Sequence, residues 1–153
     1  MPELIAPGLG EFHYRVEDLI TFPEGLPAFD DLRQFLVLQR EGLQPFVFLV
    51  SAERPAVRFV CLPVAELRPD YCFELTASDC AWLAPVGVYS PRSKDLLIFV
   101  ILTLPEQGPA TVNLLAPVLV NPARRLGAQI ILTGNAYSHA APLWPPGLEQ
   151  VVC

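Results

Sequence analysis

Asp95-Leu96-Leu97-Ile98-Phe99-Val100-Ile101-Leu102-Thr103-Leu104-Pro105 is the longest apolar run of the chain, and its reading decides the fold. Closed off by an aspartate and a proline, it falls well short of the roughly 20 apolar residues that a membrane helix needs. Its β-branched and aromatic content makes it a strand. Working outward, similar runs occupy Gln34 to Gln39, Phe46 to Ser51, Val57 to Leu62, Val112 to Val120 and Ala128 to Thr133, with shorter ones at Glu11 to Val16 and Asp70 to Leu75. Each is bounded by Pro, Gly or charged residues. The 17 prolines are about twice the usual ~5% share. Proline removes an amide donor and clashes with the preceding helical turn, so their scatter cuts the chain into short pieces and excludes long helices. Many short strands without a series of amphipathic helices predict a mainly β protein, a small antiparallel barrel-like domain with one or two short helices. Pro117 interrupts one of the runs, which places it at an edge or a bulge.

The helix is expected over Thr76 to Leu83, capped by Thr76, with Asp79 in its first turn and Pro85 as its limit. A further helical turn is expected around Ala28 to Leu32. The 153 residues suit a single domain, assigned to 1–140, followed by a proline-rich extended tail over 141–153 that contains Trp144 and Cys153. Hydrophobic residues make up 52% of the chain. Strands buried on both faces would explain that share, and so would apolar surface kept for a partner.

The formal net charge is −6. No basic stripe is visible, which argues against direct nucleic-acid binding, and an acidic chain suits a basic partner. Neither a membrane span nor a basic, apolar leader is apparent, so the expected location is the cytoplasm. Cys61, Cys72, Cys80 and Cys153 are expected to be reduced, because a domain of this size needs no staples. They form no CxxC pair, and His13 and His139 lie far from them, which predicts no zinc site and no cofactor.

Catalytic constellations are equally hard to find. The chain has no GxSxG elbow, no HExxH and no phosphate-cradling loop, and Gly8-Leu9-Gly10 lacks the third glycine of a dinucleotide site. A thiol nucleophile at Cys61, Cys72 or Cys80 would need a histidine beside it, yet each lies in or next to an apolar run and reads as a buried structural thiol. Adjacent carboxylates, Asp30-Asp31 and Glu17-Asp18, would point to opposite faces of a strand and do not converge. The protein is therefore expected not to be an enzyme. A barrel enclosing a small apolar ligand is the alternative from a different class.

Two segments carry more information. In Phe22-Pro23-Glu24-Gly25-Leu26-Pro27-Ala28-Phe29, a glycine and two prolines impose a rigid loop that fixes Phe22, Leu26 and Phe29. These side chains either anchor a partner, with Glu24 and Gly25 beside them, or plug one end of the barrel. In Thr111 to Pro122, Asn113 is placed to bond backbone left unpaired by Pro117, and Asn121 before Pro122 reads as a turn former. A partner contact by Asn113, Pro117 or Asn121 is the functional counterpart of those structural roles.

At these segments the chain resembles the FliW family. Phe22, Gly25, Leu26, Pro27 and Phe29 match its phenylalanine and glycine-leucine-proline turn, with Ala28 where the family commonly has glycine. Pro55 to Val60 and Pro69-Asp70-Tyr71 match a proline, a strand and a proline-aspartate-tyrosine. Thr111, Asn113, Leu114, Pro117, Asn121, Arg124, Arg125, Gly127 and Gln129 fit the closing signature, so the resemblance covers about residues 12 to 140. It implies a small β-barrel-like protein that binds CsrA, a basic dimeric repressor of flagellin translation, and alternatively flagellin; a monomer is the default expectation. A flagellin chaperone that ignores CsrA is the narrower version of the same expectation.

Overall fold

A computed structural model of the chain describes residues 3–6, 10–133 and 137–143. The strands are β1 (Glu3–Ala6), β2 (Gly10–His13), β3 (Ile20–Thr21), β4 (Gln34–Leu38), β5 (Val47–Ser51), β6 (Arg58–Pro63), β7 (Phe73–Leu75), β8 (Gly87–Tyr89), β9 (Leu97–Thr103), β10 (Thr111–Val112), β11 (Val118–Asn121), β12 (Leu126–Gln129) and β13 (Ala141–Pro142). A single turn of α-helix, α1 (Ala77–Cys80), lies between β7 and β8, and 3-10 turns form at Val16–Asp18 and Val64–Glu66.

Seven of the described strands close into a barrel in the order β11-β12-β3-β4-β5-β6-β9, with β9 returning to β11. The pairings are antiparallel except β12 with β3, which run parallel at Leu126 and Thr21. Closure removes the exposed edges that an open sheet would present. Outside the ring, β10 extends β9 and β13 extends β10, while β1–β2 and β7–β8 form separate two-stranded ribbons.

The apolar run that opens the sequence reading is β9, and its alternation explains the composition. Phe99 and Ile101 point into the barrel with Phe22, Phe35, Leu49, Cys61 and Val118. Ile98, Val100 and Leu102 point outward into a second core with Leu62, Tyr71, Phe73, Leu83 and Leu119. A third cluster, Leu36, Phe48 and Val50, is covered by Phe12 of β2. Strands buried on both faces therefore account for much of the hydrophobic share.

Several expectations are corrected. The run Val112 to Val120 is two strands, both on β9: Val112 faces Leu102, and Val118 faces Phe99. Between them the chain leaves the ladder, because Pro117 has no amide to offer it. Its backbone is satisfied elsewhere: the Leu114 amide donates to the Ser138 carbonyl and the Leu132 amide to the Leu115 carbonyl. The helix stops at Cys80 rather than Leu83, since the side chains of Arg124 and Asn121 take the carbonyls of Trp82 and Leu83 and hold that segment against the outer core. Ala28 to Leu32 is not helical; Leu26 and Phe29 bridge across a tight turn in which Ala28 adopts φ 69°. Strands β3 and β8 were not legible as apolar runs.

The expected tail enters the structure as a packed element at its first residues. Ala141 is 1% exposed and pairs with Val112. Buried Arg68 fastens the same strand by donating to the carbonyls of Pro142 at 2.9 Å and Leu143 at 3.2 Å. The remainder, 144–153, lies outside the described residues. Cys72 is disulfide-bonded, which corrects the reading of all four cysteines as reduced. Spacing along the chain carries no information on which thiols meet in space.

Candidate protein-binding site

The two ends of the barrel differ: the Phe22–Phe29 loop closes one of them, and Asn121 ends β11 toward the other, next to the Val120–Leu97 pair. Phe22 is 0% exposed and Leu26 2%. The Phe22 ring stands edge-on to Phe35 at 5.1 Å and lies directly over Gly127, while Phe29 packs on Phe59 at 5.9 Å. Gly25 makes the turn possible, with φ +66° and backbone of Phe29 and Asp30 pressed against its Cα. This loop is the plug of the barrel. Burial withdraws Phe22, Gly25 and Leu26 from contact with any partner in this conformation, and leaves Phe29 half-buried and Glu24 exposed. Asp30 and Asp31 join Glu24 on the exposed rim, with Arg54 3.8 Å from Asp31. The Glu53 carboxylate is engaged there, accepting from the amides of Arg33 at 2.6 Å and Gln34 at 2.8 Å.

Asn113, Pro117 and Asn121 sit in the braces around the broken strand. Asn113 Oδ1 accepts from the Ala116 amide at 2.9 Å, closing the turn before Pro117. The Gln129 side chain donates to the Ala116 carbonyl, and the Ile130 amide to that of Pro117. Asn121, 5% exposed, donates through Nδ2 to the Leu83 carbonyl at 2.7 Å and accepts from the Arg124 amide at 3.2 Å. Tyr71, the last residue of Pro69-Asp70-Tyr71, donates to the Leu114 carbonyl at 2.6 Å. Burial, followed by the neighbouring Tyr137, holds its phenol well above the usual range, so it stays a donor.

The opposite end is open, and sequence reasoning did not find it. There a cleft of about 450 Å³ is floored by Val47 and Phe99 and walled by Val37, Pro63, Val64 and Leu97. A second basin of about 270 Å³ shares Val37 and Leu97 with it and runs on to Ile20, Tyr14 and Pro122, with Asp18 and His13 also in its lining. Leu97, 45% exposed, forms the ridge between the two. Gln39 and Ser93 are the polar residues of the larger basin, and no charged side chain lines it among the described residues. The sequence signal was Leu97 itself, which has the inward parity of Phe99 and Ile101 but stands at the first position of the strand, beyond the packed interior.

Among the described residues no cluster of His, Cys, Asp or Glu is arranged to hold a metal ion. Cys61 lies in the barrel interior, where burial pushes its thiol from 9.0 up to about 12. It is therefore a thiol, not a thiolate, at neutral pH. We expect alkylation of Cys61 at pH 8 to be slower than that of free cysteine by a factor of ~100 or more, and to become fast in denaturant. Because the folded thiol titrates higher than the unfolded one, its contribution to stability is complete below about pH 9 and is lost as the pH rises toward 12. Rapid labelling of native protein at Cys61 would contradict this placement.

Comparison with known proteins agrees with the fold. The family model described as FliW protein matches residues 4–143. The flagellar assembly factor FliW of Caldanaerobacter subterraneus is 37% identical over 143 residues, 92% of each chain. That of Natranaerobius thermophilus is 35% identical over 144 residues, 93% of this chain and 92% of its own. A crystal structure of the flagellar assembly factor FliW superposes with a TM-score of 0.82 at 30% identity, covering 96% of this chain and 100% of that one.

Proposed function

The chain belongs to the FliW family, and from that premise we propose that it binds the translational regulator CsrA and relieves its repression of flagellin messenger RNA, with flagellin as the competing partner. The observation that carries the reading is the family match over residues 4–143, whose curated relatives are named flagellar assembly factors. A part in flagellar assembly is the coarse form of the function. Partner exchange is its mechanism. While unexported flagellin is abundant it occupies this protein, and CsrA is free to repress; once flagellin is exported, the protein is released to remove CsrA.

Physical chemistry supports the pairing. A chain of net charge −6 attracts a basic partner over a Debye length and orients it on approach. Once docked, the same charge repels RNA phosphates nearby, so antagonism needs no direct occlusion of the RNA site. The protein works as a cytoplasmic monomer without a cofactor and catalyses nothing.

Calorimetric titration into CsrA from the same source, repeated with flagellin already bound, tests the exchange. Binding to CsrA that saturating flagellin weakens by at least about tenfold is the expected result. Equal binding in both titrations would mean that the two partners do not compete, and binding to flagellin alone would leave a chaperone.

A further inference from the structure

We propose that the pocket between the turns at 90–95 and 121–124 binds a carboxylate, the side chain of a glutamate or aspartate presented by an acidic peptide segment. The assignment is independent of the partner reading above. The pocket has a volume of about 270 Å³, and Lys94, Asp95, Asn121 and Arg124 line it together with apolar Pro122 and Ala123. The ladder between β9 and β11 brings its two cations together. Leu97 faces Val120, so Lys94 and Arg124 flank the same end of that pair although they lie far apart in sequence. Among the described residues neither of them is ion-paired, whereas Arg15 and Arg54 have Asp18 and Asp31 beside them.

Both cations stand on turns that are already closed, which lowers the cost of ordering them around a ligand. Buried Asn121 donates to the Leu83 carbonyl and accepts from the Arg124 amide at 3.2 Å. The Arg124 guanidinium donates to the Trp82 carbonyl at 2.8 Å, which orients the fork and leaves its other N–H groups for a ligand. On the facing side the Ser93 amide donates to the Ser90 carbonyl at 2.9 Å, and the Ser90 amide donates to Ser93 Oγ at 2.9 Å, just before Lys94. A planar fork beside a compact ammonium suits the two oxygens of a carboxylate. Asp95 sets the class of anion. Two cations against one carboxylate leave the lining with a single positive charge, which a monoanion neutralises and a phosphate dianion exceeds. Arg92 and Arg125, exposed beside the same two turns, extend the positive field toward further acidic residues of the segment, on a protein whose net charge is −6.

The test is an NMR titration of the full chain with N-acetylglutamate amide, with its neutral counterpart N-acetylglutamine amide, and with inorganic phosphate, each at about 20 mM salt so that screening is weak. The glutamate compound should shift the backbone signals of Lys94, Asp95 and Arg124 and the Arg124 side-chain signal with a dissociation constant of about 5 mM or tighter, and the glutamine compound should not. Lys94→Gln should weaken that binding by about threefold or more and Arg124→Gln by about tenfold or more, while Arg58→Gln, on β6 outside the pocket, leaves it unchanged. Asp95→Asn should tighten phosphate binding by about fivefold or more, because it removes the charge that excludes a dianion. Thermal melts identify a variant that has unfolded. Arg124→Gln also releases the Trp82 carbonyl, and Lys94→Gln, at an exposed position, decides the matter if that release unfolds it. Equal shifts from the two amides, no saturable shift at these residues, or folded pocket variants that bind as wild type does would each overturn the site. Phosphate that binds wild type more tightly than the glutamate compound would overturn the carboxylate assignment in favour of a phosphate pocket.

Discussion

Phe22→Ala is expected to lower the unfolding free energy by about 3–5 kcal/mol, the range for removing a fully buried aromatic ring. Phe22 is 0% exposed, touches Phe35 edge-on, and covers Gly127, where a Cβ would stand 2.5 Å from its Cζ. The ring and the missing methyl group are one packing unit made from a loop and a strand far apart in sequence. Gly127→Ala should therefore cost about 1–3 kcal/mol by overpacking, and combining it with Phe22→Leu should cost less than the two single changes added together. Urea unfolding of wild type, the three single variants and the double variant measures this as shifts in midpoint at constant slope. Strict additivity, or a loss below about 1 kcal/mol for Phe22→Ala, would mean that the loop does not plug the barrel.

Gly25→Ala should be as damaging for a different reason. At φ +66° the added Cβ would meet the Phe29 carbonyl oxygen and Asp30 Cα, both at 2.6 Å. These are backbone atoms held by the Leu26–Phe29 bridge, so relief requires the turn to open. Backbone strain of about 1–3 kcal/mol adds to a steric cost of about 1–3 kcal/mol, and a total near 3 kcal/mol or more is expected. Gly42, at φ +84° with nothing within 4 Å of where a Cβ would stand, isolates the first contribution. Gly42→Ala should cost only about 1–2 kcal/mol. Equal losses at the two glycines would show that the plug loop yields easily and that its rigidity has been overstated.

What the sequence made legible was local. The continuous apolar, β-branched content of Ile98 to Leu102 and the Pro, Gly or charged residues bounding each run were enough to place most barrel strands, because a strand's apolar pattern is carried by the strand itself. The plug was legible as one of two possibilities for Phe22, Leu26 and Phe29. Choosing between them needed Gly127, about a hundred residues away, and no local rule links the two. The same distance hid β3, which is only Ile20–Thr21 and is fixed by its neighbours, and the splitting of β10 from β11, which Ser138 and Gln129 stabilise from outside. The open mouth was invisible for a related reason, since it is the space left where the ends of several strands and one turn meet. Tyr71 and Asn121 were noticed within motifs, yet their buried bonds to Leu114 and Leu83 appear only in three dimensions.

The parallel contact between Leu126 and Thr21 also sets a schedule for making the protein. At a ribosomal pace of about 5–20 residues per second, β3 emerges many seconds before the strand that completes the ring. Throughout that interval the nascent barrel is an open sheet with an unsatisfied β3 border, and Phe22 has no Gly127 to rest on. Chains truncated before β12 inherit that condition permanently. The ring is completed by one of the last strands to leave the exit tunnel, which makes the second half of synthesis the period of greatest exposure to misassembly.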